Sequence, residues 1–225
     1  VDILAPGSLM VVGSRQEPEL GLAGLRAKGF LLEISRDDLR FSEQEARAYL
    51  SARLPQGLSE AHLQELVQRT EGWITALSLA GMALTERDDI DAVVNGFSGS
   101  SASVAAYLAE DVLAKLPDAR RQFLLQISIL EEVRADVCDA LTCRDDSESL
   151  LKMLELQNLF LSFVDDSPGI YRFHALFRDF LQQQLAQSLG QVQVLELHRS
   201  AAEAYLNIGR PIAAIRHAIH SQAWD

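Results

Sequence analysis

Few residues in this chain combine a reactive type with a setting that could use it, and His174 is the first. It stands where an alternating run, Tyr171 to Phe173, hands over to a helical one with Phe177, Leu181 and Leu185 on one face. An imidazole there can contact a phosphate, act as a general base, or start the helix by satisfying nearby backbone. No Ser, Cys or metal-spaced carboxylate lies near it in sequence, so the structural role leads and catalysis is set aside. Arg15 follows the short apolar run Leu9-Met10-Val11-Val12. Ligands of open parallel sheets bind at the carboxyl ends of strands, and a guanidinium suits phosphate oxygens; the alternative is an exposed loop arginine. Gly72-Trp73 is either a plain helix break with a core Trp or a helix start offered to a nucleotide.

Other reactive types reduce to ordinary roles. Asp88, Asp89 and Asp91 lack the glycine and distal Glu of a calcium loop and read as a solvated acidic turn. Cys138 and Cys143 have no second pair and no nearby His, so burial accounts for them better than zinc, and two cysteines fit a reducing compartment. The chain holds no G-x-x-x-x-G-K-[ST] loop, so on its own it is not expected to hydrolyse a nucleotide. With 20 basic against 32 acidic residues the net charge is −12, which disfavours nucleic-acid binding.

These residues need elements to hold them. Leu9–Val12 and Phe30–Ile34 read as buried strands around a short helix, Leu20 to Lys28, that ends at Gly29: one βαβ unit in want of neighbours. Ser42 with Glu45 makes a capping box, and Ser59 opens the next helix with Leu58 and Leu63 as a staple. Trp73 to Leu84 is apolar nearly all round, hence central to a bundle, yet shorter than the ~18 residues that a membrane span needs. Asp88 to Ser103 is small and polar and reads as a mobile linker. Helices follow to Leu156, then the hairpin pattern Leu159–Phe173 turning at Asp165-Asp166-Ser167-Pro168-Gly169. A hairpin fused to helices is a winged helix. Its tip carries Asp165 and Asp166, and the helix before it carries Glu148 and Glu155 against Lys152, so it is unsuited to DNA. The tail forms two helices joined at Gly209-Arg210-Pro211, similar to one tetratricopeptide-like (TPR-like) repeat.

The opening VDILAPGS shows no signal-peptide pattern and reads as the interior of a longer protein. The expected fold is mainly α. Residues 1–40 would end an α/β nucleotide-binding core, 41–97 form a helical lid, 98–188 a winged-helix domain, and 189–225 a first TPR-like repeat.

The segments GSRQEPELGLAGLRAKGFLLEISRDDLRFSEQEARAYL, TEGWITALSLAGMAL, EDVLAKLPDARRQFLLQISIL and YRFHALFRDFLQQQL resemble the large ATP-binding LuxR-type (MalT-like) transcriptional regulators of the STAND class of signalling ATPases. The resemblance covers essentially the whole chain in order. It implies that Arg15 addresses the terminal phosphate of a nucleotide, that Gly72 and Trp73 line the adenine side, and that His174 reads the β-phosphate of ADP. Ile74 stands where that family has proline. The cofactor implied is ATP or ADP with Mg in the full-length protein, a slow signalling ATPase, with none held tightly by this non-enzymatic piece. Self-association, a small-molecule or protein inducer on the helical repeats, DNA only through a C-terminal helix-turn-helix outside this chain, no membrane partner and a cytoplasmic location complete what the resemblance implies. A nucleotide-independent helical scaffold for protein interactions is the alternative.

Overall fold

The structure is a computed structural model that describes residues 5, 7–14, 17–54, 57–87, 89–164 and 169–221. It is mainly helical, as the patterning requires. The apolar runs around the first helix, α1 (Leu22–Ala27), are the main departure. Neither 9–12 nor 30–34 pairs into a sheet, and Leu9, Val11, Phe30, Leu32 and Ile34 are exposed. A parallel strand is held by neighbouring strands on either side, and the described residues supply none.

Local signals then set four helices in succession. The Ser42 side chain accepts from Glu45 N–H while the Glu45 carboxylate accepts from Ser42 N–H, a complete capping box opening α2 (Glu43–Ser51). Ser59 caps α3 (Glu60–Thr70) through His62 N–H. The next helix, α4 (Ile74–Glu86), buries Ala76, Leu77, Ala80, Gly81 and Leu84 at the centre of the bundle. Asp89 caps α5 (Ile90–Gly96), so this acidic residue serves a helix start, while Asp91 pairs with His62; Asp88 lies outside the described residues.

The expected linker is in fact structured. Phe97 is buried, and Ser98 to Ser101 form a hydrogen-bonded turn before α6 (Ala102–Tyr107). A Cβ placed on Gly99 would lie 1.8 Å from the Leu176 carbonyl oxygen. The glycine is there because one backbone runs directly against another, a reason that local composition does not display.

A wider helical turn, Leu108–Val112, continues α6, followed by α7 (Asp118–Ile127), α8 (Ala135–Thr142) and α9 (Ser147–Leu156). Three short antiparallel strands complete the winged helix: β1 (Val133–Arg134), β2 (Leu161–Phe163) and β3 (Ile170–Phe173), in the order β1-β3-β2. Val133 lies opposite Tyr171, and Leu161 opposite Phe173. The tip, residues 165–168, lies outside the described residues. From β3 the chain enters α10 (Ala175–Leu189), whose Phe177, Phe180, Leu181 and Leu185 are buried. The helices α11 (Gln191–Asn207) and α12 (Pro211–Ser221) pack on each other, and α11 also rests on α8. One continuous apolar core runs from Ala46 to Ala214. Cys138 is buried and its thiol pushed up by that burial, whereas Cys143 is exposed at the left-handed end of α8, where it caps the helix rather than filling the core.

Candidate functional site

The α3–α4 break and the start of α10, 104 residues apart, meet in one corner. Thr70-Glu71-Gly72-Trp73 turns sharply there: Glu71 and Gly72 both take left-handed backbone, with φ of 47° and 72°. Gly72 is required, because a Cβ would approach the Phe41 carbonyl oxygen to 2.5 Å, and Phe41 N–H donates to the Gly72 carbonyl at 2.9 Å. This turn projects the Thr70 carbonyl and the Glu71 carboxylate at the winged helix.

His174 meets them from the other side. Its Nδ1 accepts from Leu176 N–H at 3.3 Å, capping α10, and its Nε2 bonds the Thr70 carbonyl at 2.9 Å. Carbonyl oxygens only accept, so the ring carries its proton on Nε2. Among the three roles open to His174, helix start is the one this arrangement displays. Glu71 accepts from Ala175 N–H at 3.0 Å and pairs with Arg172 of β3 at 3.1 Å. Trp73 is wedged between Tyr107, Phe160 and His174, its ring 4.9 Å from that of Phe160 and 5.7 Å from the imidazole.

Charge in the corner is lopsided. Arg40 lies 3.9 Å from Glu71, and Arg36 is close enough for its charge to be felt by both Glu71 and His174. Burial lowers the pKa of Arg36, with the Arg40 charge acting the same way. Burial is also the largest influence on His174 and holds it below its ordinary value; the Glu71 carboxylate and the bond to Thr70 oppose, and Arg36 and Arg40 reinforce. For Glu71, burial pushes upward, but His174, the Ala175 N–H and Arg172 together outweigh it and keep the carboxyl below the usual range. Asp37 also pairs with Arg40, at 3.0 Å, so three guanidinium groups face two carboxylates, which leaves one positive charge over, suited to an anion.

Of the residues singled out in the sequence, Gly72, Trp73 and His174 therefore come together, while Arg15 lies outside the described residues. Glu71, Arg172, Arg36 and Arg40 were not singled out. Arg36 and Arg40 lie within the SRDDLRF stretch of the resemblance, but nothing local marks Glu71 as the partner of a residue 101 positions away. Among the described residues no group of three or more His, Cys, Asp or Glu side chains is placed to hold a metal ion, and no helix is long and apolar enough to cross a membrane.

Comparison with known proteins agrees with this architecture. Residues 109–193 match the MalT winged helix domain. The chain is 35% identical over 214 residues to the HTH-type transcriptional regulator MalT of Yersinia pestis, and equally to that of Yersinia pseudotuberculosis. Against MalT of Cronobacter sakazakii the identity is 36% over 214 residues. Each alignment takes in 93% of this chain and 23% of the relative, so the chain spans under a quarter of the length of these proteins. The chain is thus similar to MalT over nearly its whole length, and its residues 109–193 match the MalT winged helix domain family.

Proposed function

We propose that this chain is the regulatory and self-association segment of an ATP-dependent, LuxR-type transcriptional activator of the STAND class. It acts as a nucleotide-controlled latch, and its DNA-binding helix-turn-helix lies elsewhere in a cytoplasmic protein. The observation that carries this reading is the corner where His174, Glu71 and Arg172 join the helical segment to the winged helix amid surplus positive charge. Bound ADP would supply a β-phosphate, and ATP in addition a γ-phosphate, each with Mg. Arg36 and Arg40 fit such an anion, since Asp37 and Glu71 together leave the three guanidinium groups of the corner with one positive charge over. His174 would exchange the Thr70 carbonyl for a phosphate oxygen through the same Nε2–H. Gly72 and Trp73 would set the adenine side, and Arg15 would answer the γ-phosphate. A ligand that favours one packing of two domains over the other shifts their populations by its differential affinity. An inducer sensed by TPR-like repeats would act on the same equilibrium.

In the full-length protein, His174→Ala is expected to raise inducer-independent transcription and weaken ADP binding. Unchanged basal transcription together with unchanged ADP affinity would defeat the latch. One observation favours a scaffold without nucleotide control: both His174 ring nitrogens already have protein partners. Absence of ADP binding by the full-length protein would select that alternative.

A further inference from the structure

A cleft of about 570 Å³ opens between α10 and the α11–α12 pair, closed at one end by the loop from Ile129 to Glu132. Its volume is that of a pocket for a small organic molecule, and it sits where two parts of the fold meet, a common place for such sites. Ile129, Leu185, Val194 and Ala213 give it apolar walls.

Its polar groups are unevenly matched. The loop contributes Glu131 and Glu132. Glu131 is paired with Arg216 of α12, and Glu132 lies 4.0 Å from Arg210 of the turn before α12. Arg178 of α10, half-buried, donates from Nε to the Ser128 carbonyl at 3.3 Å, and among the described residues no carboxylate pairs with it. Three arginines against two carboxylates leave one positive charge over before any histidine ionises. A guanidinium partly removed from water without a counter-charge is costly, and a planar fork of donors is well shaped for a carboxylate or phosphate.

Three imidazoles share the cleft. His198 of α11 and His217 of α12 are hydrogen-bonded Nδ1 to Nδ1 at 2.9 Å. That bond uses one nitrogen of each, leaving one Nε2–H donor and one Nε2 acceptor between the two rings. His217 is stacked on Tyr205, 15° from parallel at 5.4 Å, and His198 on His220, 14° from parallel at 5.0 Å. Tyr205 is fixed in turn by donating to the Glu132 carbonyl at 2.7 Å. The walls are flat, rigid and able to bond.

We propose that this cleft binds a small organic anion, a carboxylate or a phosphate ester, with its charge on Arg178 and its body against the rings of His198 and His217. Such a ligand touches the winged helix through α10 and the terminal helical pair through α11 and α12. It therefore fastens one to the other, independently of any nucleotide at the His174 corner. Binding to this joined arrangement alone stabilises it by mass action.

The test titrates the protein with benzoate and, separately, with inorganic phosphate, following the imidazole C–H NMR signals of His198 and His217. At least one probe is expected to shift these signals saturably. Preference for benzoate assigns a carboxylate with an apolar body, and preference for phosphate assigns a phosphate ester. Arg178→Gln is expected to weaken binding at least ten-fold, while Arg199→Gln, on the exposed side of α11, leaves it unchanged. Ile212→Trp, an obstruction at the exposed rim, provides a second route should Arg178→Gln fail to fold, and it is expected to abolish the shifts. No saturable shift with either probe, or full binding in folded Arg178→Gln or Ile212→Trp protein, would overturn the proposal.

Discussion

The winged helix is joined to its neighbours in two different ways. On the side of the α3–α4 break the junction is closed and polar: backbone runs against backbone at Gly99, the Gly72 turn is held against Phe41, and Glu71 and His174 bridge 104 residues of sequence. On the side of α11 and α12 it is built from small residues, Ala201, Ala202 and Ala214, with stacked imidazoles and a cleft left open. The closed junction depends on a few positions where an added Cβ does not fit, and the open one on alanines and aromatic rings that leave a cleft between them.

Mutation should expose this contrast most strongly at Gly99. Gly99→Ala forces a Cβ into the Leu176 carbonyl and is expected to cost about 3 kcal/mol in denaturant unfolding. A loss below 1 kcal/mol would show that the seam gives way easily. Gly72→Ala adds positive-φ strain to the contact with Phe41 and should cost about 2 kcal/mol.

Acid probes the open junction instead. His198 and His217 are each held at about 4, chiefly by burial, the first assisted by His220 and Arg178 and the second by His198 and His220. The unfolded chain takes up these protons first, so the stability they contribute is complete above about pH 6.5 and is lost as pH falls toward 4. A melting temperature lower by about 3 °C at pH 5.5 than at pH 7 is expected, with a shallower decline in His217→Asn. An unchanged slope in that variant would remove the pair from the account. His174 shifts in the same direction, so His174→Asn measures the share of the closed junction.

Glu71→Gln should cost about 1 kcal/mol, since the amide can still accept from Ala175 but loses the charge facing Arg172. Gly81→Ala is the contrast case. It lies in α4 with the added Cβ 3.4 Å from Leu50 Cδ2, so helix propensity should offset crowding to within about 1 kcal/mol.

Legibility in the sequence follows how local each feature is. Ser42 with Glu45, Ser59, and the hairpin from Leu161 to Phe173 are determined by neighbours a few residues away, and their patterns are visible in one dimension. The β1 strand is two residues long and exists only because β3 passes beside it. Gly99 looked like linker composition because its constraint is supplied by α10, far along the chain. His174 was recognisable as the chemical oddity at a strand–helix corner, but its Thr70 partner was not. The runs at 9–12 and 30–34 had the apolar character of strands without neighbours to pair with, and character alone does not make a sheet.

Glu71 also gives the closed junction a built-in gauge. The carboxylate that receives the Ala175 N–H comes from a different part of the fold, so the first turn of α10 is complete only while the two parts touch. Whenever they separate, that amide is left to water and can trade its hydrogen for solvent deuterium. The exchange rate at Ala175 would then report on the separation of these two parts of the fold, one backbone proton read out against a contact 104 residues away in sequence.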